Sequence, residues 1–209
     1  MRANLLNPFG PLICLASRSA RRAELLTLVG ARFETLPVDL DERALATERA
    51  DAHVLRLSEA KAAAAAAMRR VEGTGNDTVF LGADTIVSIG RTILGKPAGP
   101  DEAVRMLGLL SGRVHEVWTG VAVVEPDSGR TVTEAVRSLV KFSRLDEAEI
   151  RRYVSTGEPL DKAGAYAVQG GGALFVEAIE GSYSNVVGLP LSHVKQLLAL
   201  LREAPARGS

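Results

Sequence analysis

Short apolar runs alternate with segments of helical periodicity along the chain, and this alternation predicts a β-sheet flanked by helices. Residues 12–16 (LICLA) are apolar throughout and are followed by polar residues, which is the pattern of a short buried strand. Further on, Val54, Leu57 and Lys61 share one helical face. The alanine run at 62–67 favours a helix and suits close packing against a sheet.

The remaining elements follow from the same patterns and from turn residues. The predicted strands are 12–16, 32–36, 78–81, 86–89, 92–94, 114–124, 131–142 and 173–179. The predicted helices run from Ser17 or Ser19 to Gly30, from 47 to about 70, and over 100–110, 146–154 and 191–201. Long antiparallel strands among βα units predict a mixed α/β sheet with helices on its faces. Because no repeat or linker divides the chain, we expect a single domain at 11–203 after a short N-terminal extension at 1–10.

Composition limits the partners. The 209 residues are 46% hydrophobic, which is enough for one sizeable core. The 25 basic and 25 acidic residues leave no net charge, so neither a nucleic-acid nor a membrane-surface partner is indicated, and positive charge for an anionic ligand must be local. The only cysteine, Cys14, excludes an internal disulfide and a cysteine-cage zinc site. With no membrane-length apolar run and no signal peptide, we expect a cytoplasmic protein.

The first candidate site is the strand-to-helix junction LASRSARR at 15–22. The start of a helix presents free N–H groups and partial positive charge, which suit a phosphate. Arg21 and Arg22 oppose the helix dipole there, and an anionic ligand near Ser17 would resolve the conflict. The alternative is a solvated basic face capped by serine.

Two acidic positions are candidates for metal binding or acid–base chemistry. The loop at 38–42 (VDLDE) contains three carboxylates and ends at Glu42, so it could bind a hard divalent cation; a solvated acidic loop is the alternative. Asp84 follows the apolar strand at 78–81, and the carboxyl end of a buried strand is a favoured active-site position. It could bind metal or accept a proton from water, or it could only cap a turn.

Three further polar positions are candidates for contact with a ligand. Lys61 on its apolar helix face either reaches outward to solvent or is held toward an anion. Lys96 lies between Gly95 and Pro97. The glycine-rich segment 161–172 contains Gln169, whose amide could read a base edge, although a flexible surface loop is equally compatible. The three histidines show no metal-ligand spacing and are interpreted as ordinary surface or partly buried residues.

Taken together, these segments resemble the Maf family of nucleotide pyrophosphatases. The matching segments are LASRSARRAELL (15–26), the acidic loop ending at Glu42, LSEAKA (57–62), LGADTIV (81–87), LGKP (94–97), GEPLDKAGAYAVQG (157–170) and GSYSNVVGLPL (181–191). Each is weak alone, but their ordered occurrence along nearly the whole chain is specific. One departure is Ala20, which stands where the family usually has proline before the two arginines.

The resemblance implies a Maf/ITPase-like fold, with an elongated mixed sheet flanked by helices and two lobes around a cleft, and a homodimer. It implies hydrolysis of a nucleoside triphosphate to the monophosphate and pyrophosphate with a divalent cation, Mg²⁺ or Mn²⁺. The DKAGAYAVQG segment resembles the corresponding segment of the branch that prefers dTTP and UTP over 7-methyl-GTP. Modified pyrimidine nucleotides, whose removal is called house-cleaning, are further candidate substrates. The alternatives are a 7-methyl-GTP pyrophosphatase and a nucleotide-binding cell-division regulator without turnover.

The resemblance also implies roles for individual residues. Asp84 corresponds to the proton acceptor and, with Glu42, to the metal-binding carboxylates. The positions that correspond to base preference are Arg21, Thr85 and Gln169. The other polar positions of the cleft, expected to bind substrate, are Ser17, Arg22, Lys61 and Lys96.

Overall fold

The structure, a computed structural model, describes residues 9–72 and 78–203, which form a seven-stranded mixed sheet with six α-helices. The strands are β1 (Leu12–Leu15), β2 (Phe33–Thr35), β3 (Thr78–Ile89), β4 (Thr92–Leu94), β5 (Val114–Val124), β6 (Thr131–Phe142) and β7 (Val176–Glu180). The helices are α1 (Ala20–Leu28), α2 (Ala50–Glu72), α3 (Pro100–Leu110), α4 (Glu147–Ser155), α5 (Tyr183–Val187) and α6 (Leu191–Glu203). Most of the predicted N-terminal extension, residues 1–8, lies outside the described residues.

The sheet has the order β2-β1-β3-β5-β6-β7, with β4 paired to β3. β1 pairs in parallel with β2 and β3, and all other pairs are antiparallel. The predicted mixed α/β fold is therefore confirmed. None of the helices within the described residues is long and apolar enough to cross a membrane.

β3 is one continuous strand, and this corrects the prediction that a strand ends at Leu81 and leaves Asp84 beyond it. The parallel pairing with β1 does end at Leu15 and Leu81. β3 nevertheless continues, because β5 pairs with it antiparallel from Phe80 to Ser88. Asp84 thus lies inside a strand, a short distance past the point where β1 turns away toward α1. Because β1 no longer pairs with β3 there, the backbone edge of β3 that faced β1 is not covered by β1 at Asp84.

Other boundaries differ by a few residues. β5 and β6 match the prediction in full. α2 begins at Ala50 rather than 47, since Thr47 has a left-handed φ of 62°. The strand predicted at 173–179 begins at Val176, because the preceding Gly171–Phe175 forms a 3₁₀ segment. The short helix α5 was not predicted.

Two hydrophobic clusters meet along β3. One contains Leu81 and Ala83 with residues of β1, α1 and α6, and the other contains Val87 and Ile89 with residues of α3 and α4. Asp84 lies between these two sets of core residues. The break between the two apolar clusters therefore positions polar groups at the middle of β3.

Helix α2 packs against β3 and β5 at backbone distance. A Cβ atom on Gly82 would lie 2.0 Å from the carbonyl oxygen of Ser58, and one on Gly120 would lie 2.1 Å from that of Val54. Only glycine permits this approach. As a result, the buried face of α2, which carries Lys61, is held close to Asp84. Cys14, on β1, is fully buried, and burial raises the pKa of its thiol to about 11, as expected for an inert residue.

Candidate active site

A cavity of about 1000 Å³ opens where β1, α2 and β3 diverge. All of the site residues predicted from the sequence line it: Ser17, Arg21, Arg22, Glu42, Lys61, Asp84, Thr85, Lys96 and Gln169. They come from six separate stretches of the chain. The structure therefore brings together groups that are up to 152 positions apart in the numbering, from Ser17 to Gln169.

The centre of the cavity is a lysine held between two carboxylates. Lys61 Nζ donates to Asp84 Oδ1 at 2.7 Å and lies 2.6 Å from Glu42 Oε1. Lys61 and Asp84 are 7% and 6% exposed, so this pair is almost fully removed from solvent. Burial of unpaired charges would be costly, and each carboxylate compensates the ammonium. Lys61 is thus held toward a ligand-sized cavity rather than reaching outward to solvent.

Glu42 connects this pair to the cavity mouth. Its Oε2 accepts a hydrogen bond from Lys96 Nζ at 3.0 Å, and the Lys96 side chain is 62% exposed. Burial alone would raise the pKa of Glu42, but the hydrogen bonds and charges of Lys61 and Lys96 outweigh it and lower the pKa to about 2. Glu42 is therefore ionised at neutral pH, and two ammonium groups lie beside it.

At the start of α1, Arg22 is bound to protein atoms on every nitrogen. Nε donates to the carbonyl of Gly188 at 2.8 Å, Nη1 to Ser17 Oγ at 3.0 Å, and Nη2 to Thr85 Oγ1 at 3.0 Å. Burial lowers the pKa of Arg22. Uncharged oxygen atoms thus accept hydrogen bonds from all three guanidinium nitrogens of Arg22, the residue that opposes the dipole of α1. Arg22 joins β1, β3 and the end of α5, whereas Arg21 remains half-exposed in the cavity lining.

Gln169 lies in a different kind of structure. It is exposed within the non-helical, non-strand stretch between the 3₁₀ segments Ala163–Ala165 and Gly171–Phe175. Thr85, by contrast, is fixed on β3, where its hydroxyl is 3.0 Å from that of Thr119. The three positions expected to sense the base therefore combine the fixed hydroxyl of Thr85 with one half-exposed side chain, Arg21, and one exposed side chain, Gln169.

Sequence reasoning missed His53. The interpretation of the histidines as surface or partly buried residues is wrong for His53 and His115, which are 2% and 1% exposed. His53 Nδ1 lies 2.9 Å from Glu48 Oε2, and its Nε2 lies 3.9 Å from Asp84 Oδ2. The signal was present, because His53 precedes Leu57 and Lys61 by four and eight residues on α2.

The chemistry available here is the binding of an anion next to a buried carboxylate. Cations from α1, α2 and the β4–α3 connection surround the cavity, and Asp84 and Glu42 supply hard oxygen donors. Among the described residues, no group of three or more His, Cys, Asp or Glu side chains forms a metal cluster. An ion bound here would therefore depend on few protein ligands.

Comparison with known proteins agrees with this geometry. Residues 12–201 match the family model described as Maf-like protein. A protein of Geobacter sp. (strain M21) is 51% identical over 189 residues, covering 90% of this chain and 95% of its own. Proteins of Syntrophus aciditrophicus (strain SB) and Anaeromyxobacter dehalogenans (strain 2CP-1 / ATCC BAA-258) are 50% and 49% identical, covering 89% and 93% of this chain and 88% and 94% of their own. All three relatives are named dTTP/UTP pyrophosphatase.

Proposed function

The chain belongs to the Maf family, and from that premise we propose that it hydrolyses dTTP and UTP to the monophosphate and pyrophosphate. The relatives so named share about half of their residues with this chain over nearly its whole length. The observation that carries the proposal is the contact of Lys61 with both Asp84 and Glu42 inside a cavity lined by cations. Such a site suits a triphosphate and a water molecule together.

A divalent cation, Mg²⁺ or Mn²⁺, is part of the proposal, and the donor set fits it. Asp84 and Glu42 offer carboxylate oxygens that already converge on one ammonium group. Mg²⁺ usually takes one or two protein carboxylates and completes its shell with water and phosphate oxygens. When bound, the ion would neutralise charge that develops on the phosphates.

The protein's own residues would bind and orient the substrate. The N–H groups at the start of α1 and the ammonium groups of Lys61 and Lys96 bind phosphate oxygens. Arg22 holds the start of α1 against β3 through its contacts with Ser17 and Thr85. Arg21, Thr85 and Gln169 would act on the base. We retain the homodimer and the cytoplasmic location as predictions.

Asp84 acts as the general base in this proposal. It accepts a proton from water, the water oxygen forms a bond to the α phosphorus, and the bond from that phosphorus to the bridging oxygen breaks to release pyrophosphate. The proton then leaves to solvent. Positive groups around the leaving pyrophosphate stabilise its charge as it forms.

The test is pyrophosphate release from dTTP, UTP, CTP and 7-methyl-GTP, with and without Mg²⁺ or Mn²⁺. Asp84→Asn should lower kcat by about 10²–10⁴-fold, since it removes the base but keeps the shape. The matched control is Asp127→Asn, an exposed aspartate in the turn between β5 and β6, which should keep wild-type turnover. Near-wild-type turnover by Asp84→Asn would contradict the assignment of the base. Fastest release from 7-methyl-GTP, or nucleotide binding without release, would contradict the proposed activity.

A further inference from the structure

The loop that carries Gln169 is held by two side chains outside the cavity. Tyr153 Oη accepts a hydrogen bond from the backbone N–H of Ala167 at 3.2 Å, and Glu158 Oε2 accepts one from the N–H of Gly171 at 3.0 Å. These two anchored residues stand two positions before and two positions after Gln169. The backbone of Gln169 is therefore fixed from both sides by groups that do not themselves line the cavity.

The two side chains are also joined to each other. Tyr153 Oη donates to Glu158 Oε1 at 2.7 Å, and Glu158 also accepts from the N–H of Gly172 at 3.4 Å. We call this pair the Tyr153–Glu158 brace. Tyr153 is itself held firmly in place. It belongs to α4, is 6% exposed and packs edge-on against Phe175 with ring centroids 5.0 Å apart.

The protonation states suit this arrangement. Burial, followed by the hydrogen bond to Glu158, raises the pKa of Tyr153, so the phenol remains a donor at neutral pH. Burial alone would raise the pKa of Glu158, but hydrogen bonds from Tyr153 and from the N–H groups of Gly171 and Gly172 hold it below its ordinary value of 4.5. Glu158 is thus a pure acceptor that faces three donors.

The glycines of the loop permit its close approach to the brace. A Cβ atom on Gly172 would lie 2.4 Å from the carbonyl oxygen of Ala167 and 2.9 Å from Tyr153 Oη. One on Gly170, whose φ is +110°, would lie 2.8 Å from Glu158 Oε1. The backbone around Gln169 is therefore folded directly against the brace, and any movement of Tyr153 or Glu158 is transmitted to it.

We propose that Tyr153 and Glu158 are positioning residues for substrate selection, which fix Gln169 where it reads the pyrimidine base. This inference rests on the proposed function. The brace does not contact Asp84, Lys61 or Glu42, so it acts on the choice of base and leaves the hydrolytic step intact. A role in stability alone would instead change all nucleotides alike.

The experiment compares kcat and KM for dTTP, UTP and 7-methyl-GTP in the wild type, Glu158→Gln and Tyr153→Phe. Glutamine places an amide NH₂ against backbone donors, and phenylalanine keeps the ring but removes two hydrogen bonds. The ratio of kcat/KM for dTTP to that for 7-methyl-GTP should fall about tenfold in Glu158→Gln and about threefold in Tyr153→Phe. The loss should come from a higher KM for dTTP and UTP, with kcat retained.

Two further variants sharpen the test. Glu147→Gln removes an exposed carboxylate on the same helix as Tyr153 and should leave the ratio unchanged. Gln169→Ala should lower the ratio, and adding Glu158→Gln to it should have no further effect, because both changes act through one side chain. Tyr153→Phe retains the core packing and therefore carries the test if Glu158→Gln does not fold.

The outcomes separate the two proposals. An unchanged ratio in both brace variants, or an equal loss on every nucleotide, would overturn the inference while hydrolysis by the wild type continued to support the proposed function. An unchanged ratio in Gln169→Ala would overturn both the reading of the base by Gln169 and the role of the brace. Failure of the wild type to release pyrophosphate from dTTP and UTP would instead overturn the proposed function.

Discussion

The α2–β3 part of the cavity and the loop that carries Gln169 are held in place by different forces. Asp84 and Lys61 sit on β3 and α2, whose backbones touch at Gly82, and the neighbouring strand β5 touches the same helix at Gly120. Gln169 sits in a stretch without sheet hydrogen bonds, fixed by the side chains of Tyr153 and Glu158. Regular elements thus support Asp84 and Lys61, and side-chain hydrogen bonds support the loop of Gln169.

This difference has a physical consequence. Backbone packing is tolerant of most side-chain changes but fails when a Cβ atom is added at the contact. A side-chain brace, by contrast, is sensitive to changes of its side chains, because it depends on hydrogen-bond donors and acceptors and on their protonation. Substitutions in the two regions should therefore be distinguishable by what they disturb.

The largest effect is expected from Gly82→Ala. The new methyl group would lie 2.0 Å from the carbonyl oxygen of Ser58 and 2.7 Å from the backbone nitrogen of Ala62, so α2 must move away from β3. We expect the free energy of unfolding in urea to fall by about 3 kcal/mol. Pyrophosphate release should fall as well, because Lys61 moves with the helix.

The matched control is Gly108→Ala, in the last turn of α3, where an added Cβ atom meets nothing within 4 Å. It should raise the free energy of unfolding by about 0.5–1 kcal/mol, through helix propensity alone. If Gly82→Ala were as stable as the wild type, the backbone contact would not be what holds Lys61 at Asp84.

The sequence predicted much of the fold because long hydrophobic patterns are local signals. β5 and β6 were placed in full, since each is long and mostly apolar on its buried positions. The strand end expected at Leu81 was wrong, because β3 continues through Gly82, where glycine is required by the close approach of α2. That reason is tertiary and has no local sequence signal.

The site shows the same limit. Motif spacing identified Asp84, Lys61 and Glu42, and the structure places them in contact. Motif spacing did not predict that Arg22 donates a hydrogen bond to the carbonyl of Gly188, 166 residues away, because an acceptor so distant in sequence leaves no local pattern. His53 differs, because its position four residues before Leu57 on α2 was a local signal for the buried face of that helix.

His53 offers a smaller test within the α2–β3 part. Glu48 orients the ring at Nδ1, and Arg56 in turn donates to Glu48 at 2.7 Å, so the ring is held with Nε2 toward Asp84. His53→Ala should lower kcat about tenfold, because the carboxylate loses a polar neighbour that restricts it. His53→Gln, which can place an amide near the position of Nε2, should recover part of that loss. His193→Ala, at a partly exposed histidine on α6, should have wild-type kcat, and an equal decline in it would show that the His53 effect is unspecific.

The smallest effect, about 1 kcal/mol, should come from acidifying the brace, and it bears on the comparison most directly. The folded-state pKa of Glu158 lies below its ordinary value of 4.5, so its ionised form stabilises the fold fully above pH 4.5. That contribution is lost as the pH falls through the folded-state pKa, where the Glu158 carboxylate of the wild type becomes protonated. The difference in unfolding free energy between wild type and Glu158→Gln should therefore be constant from pH 7 to pH 5 and shrink below that. A difference independent of pH, or one that grows on acidification, would mean that the loop is held by packing, as the α2–β3 part is.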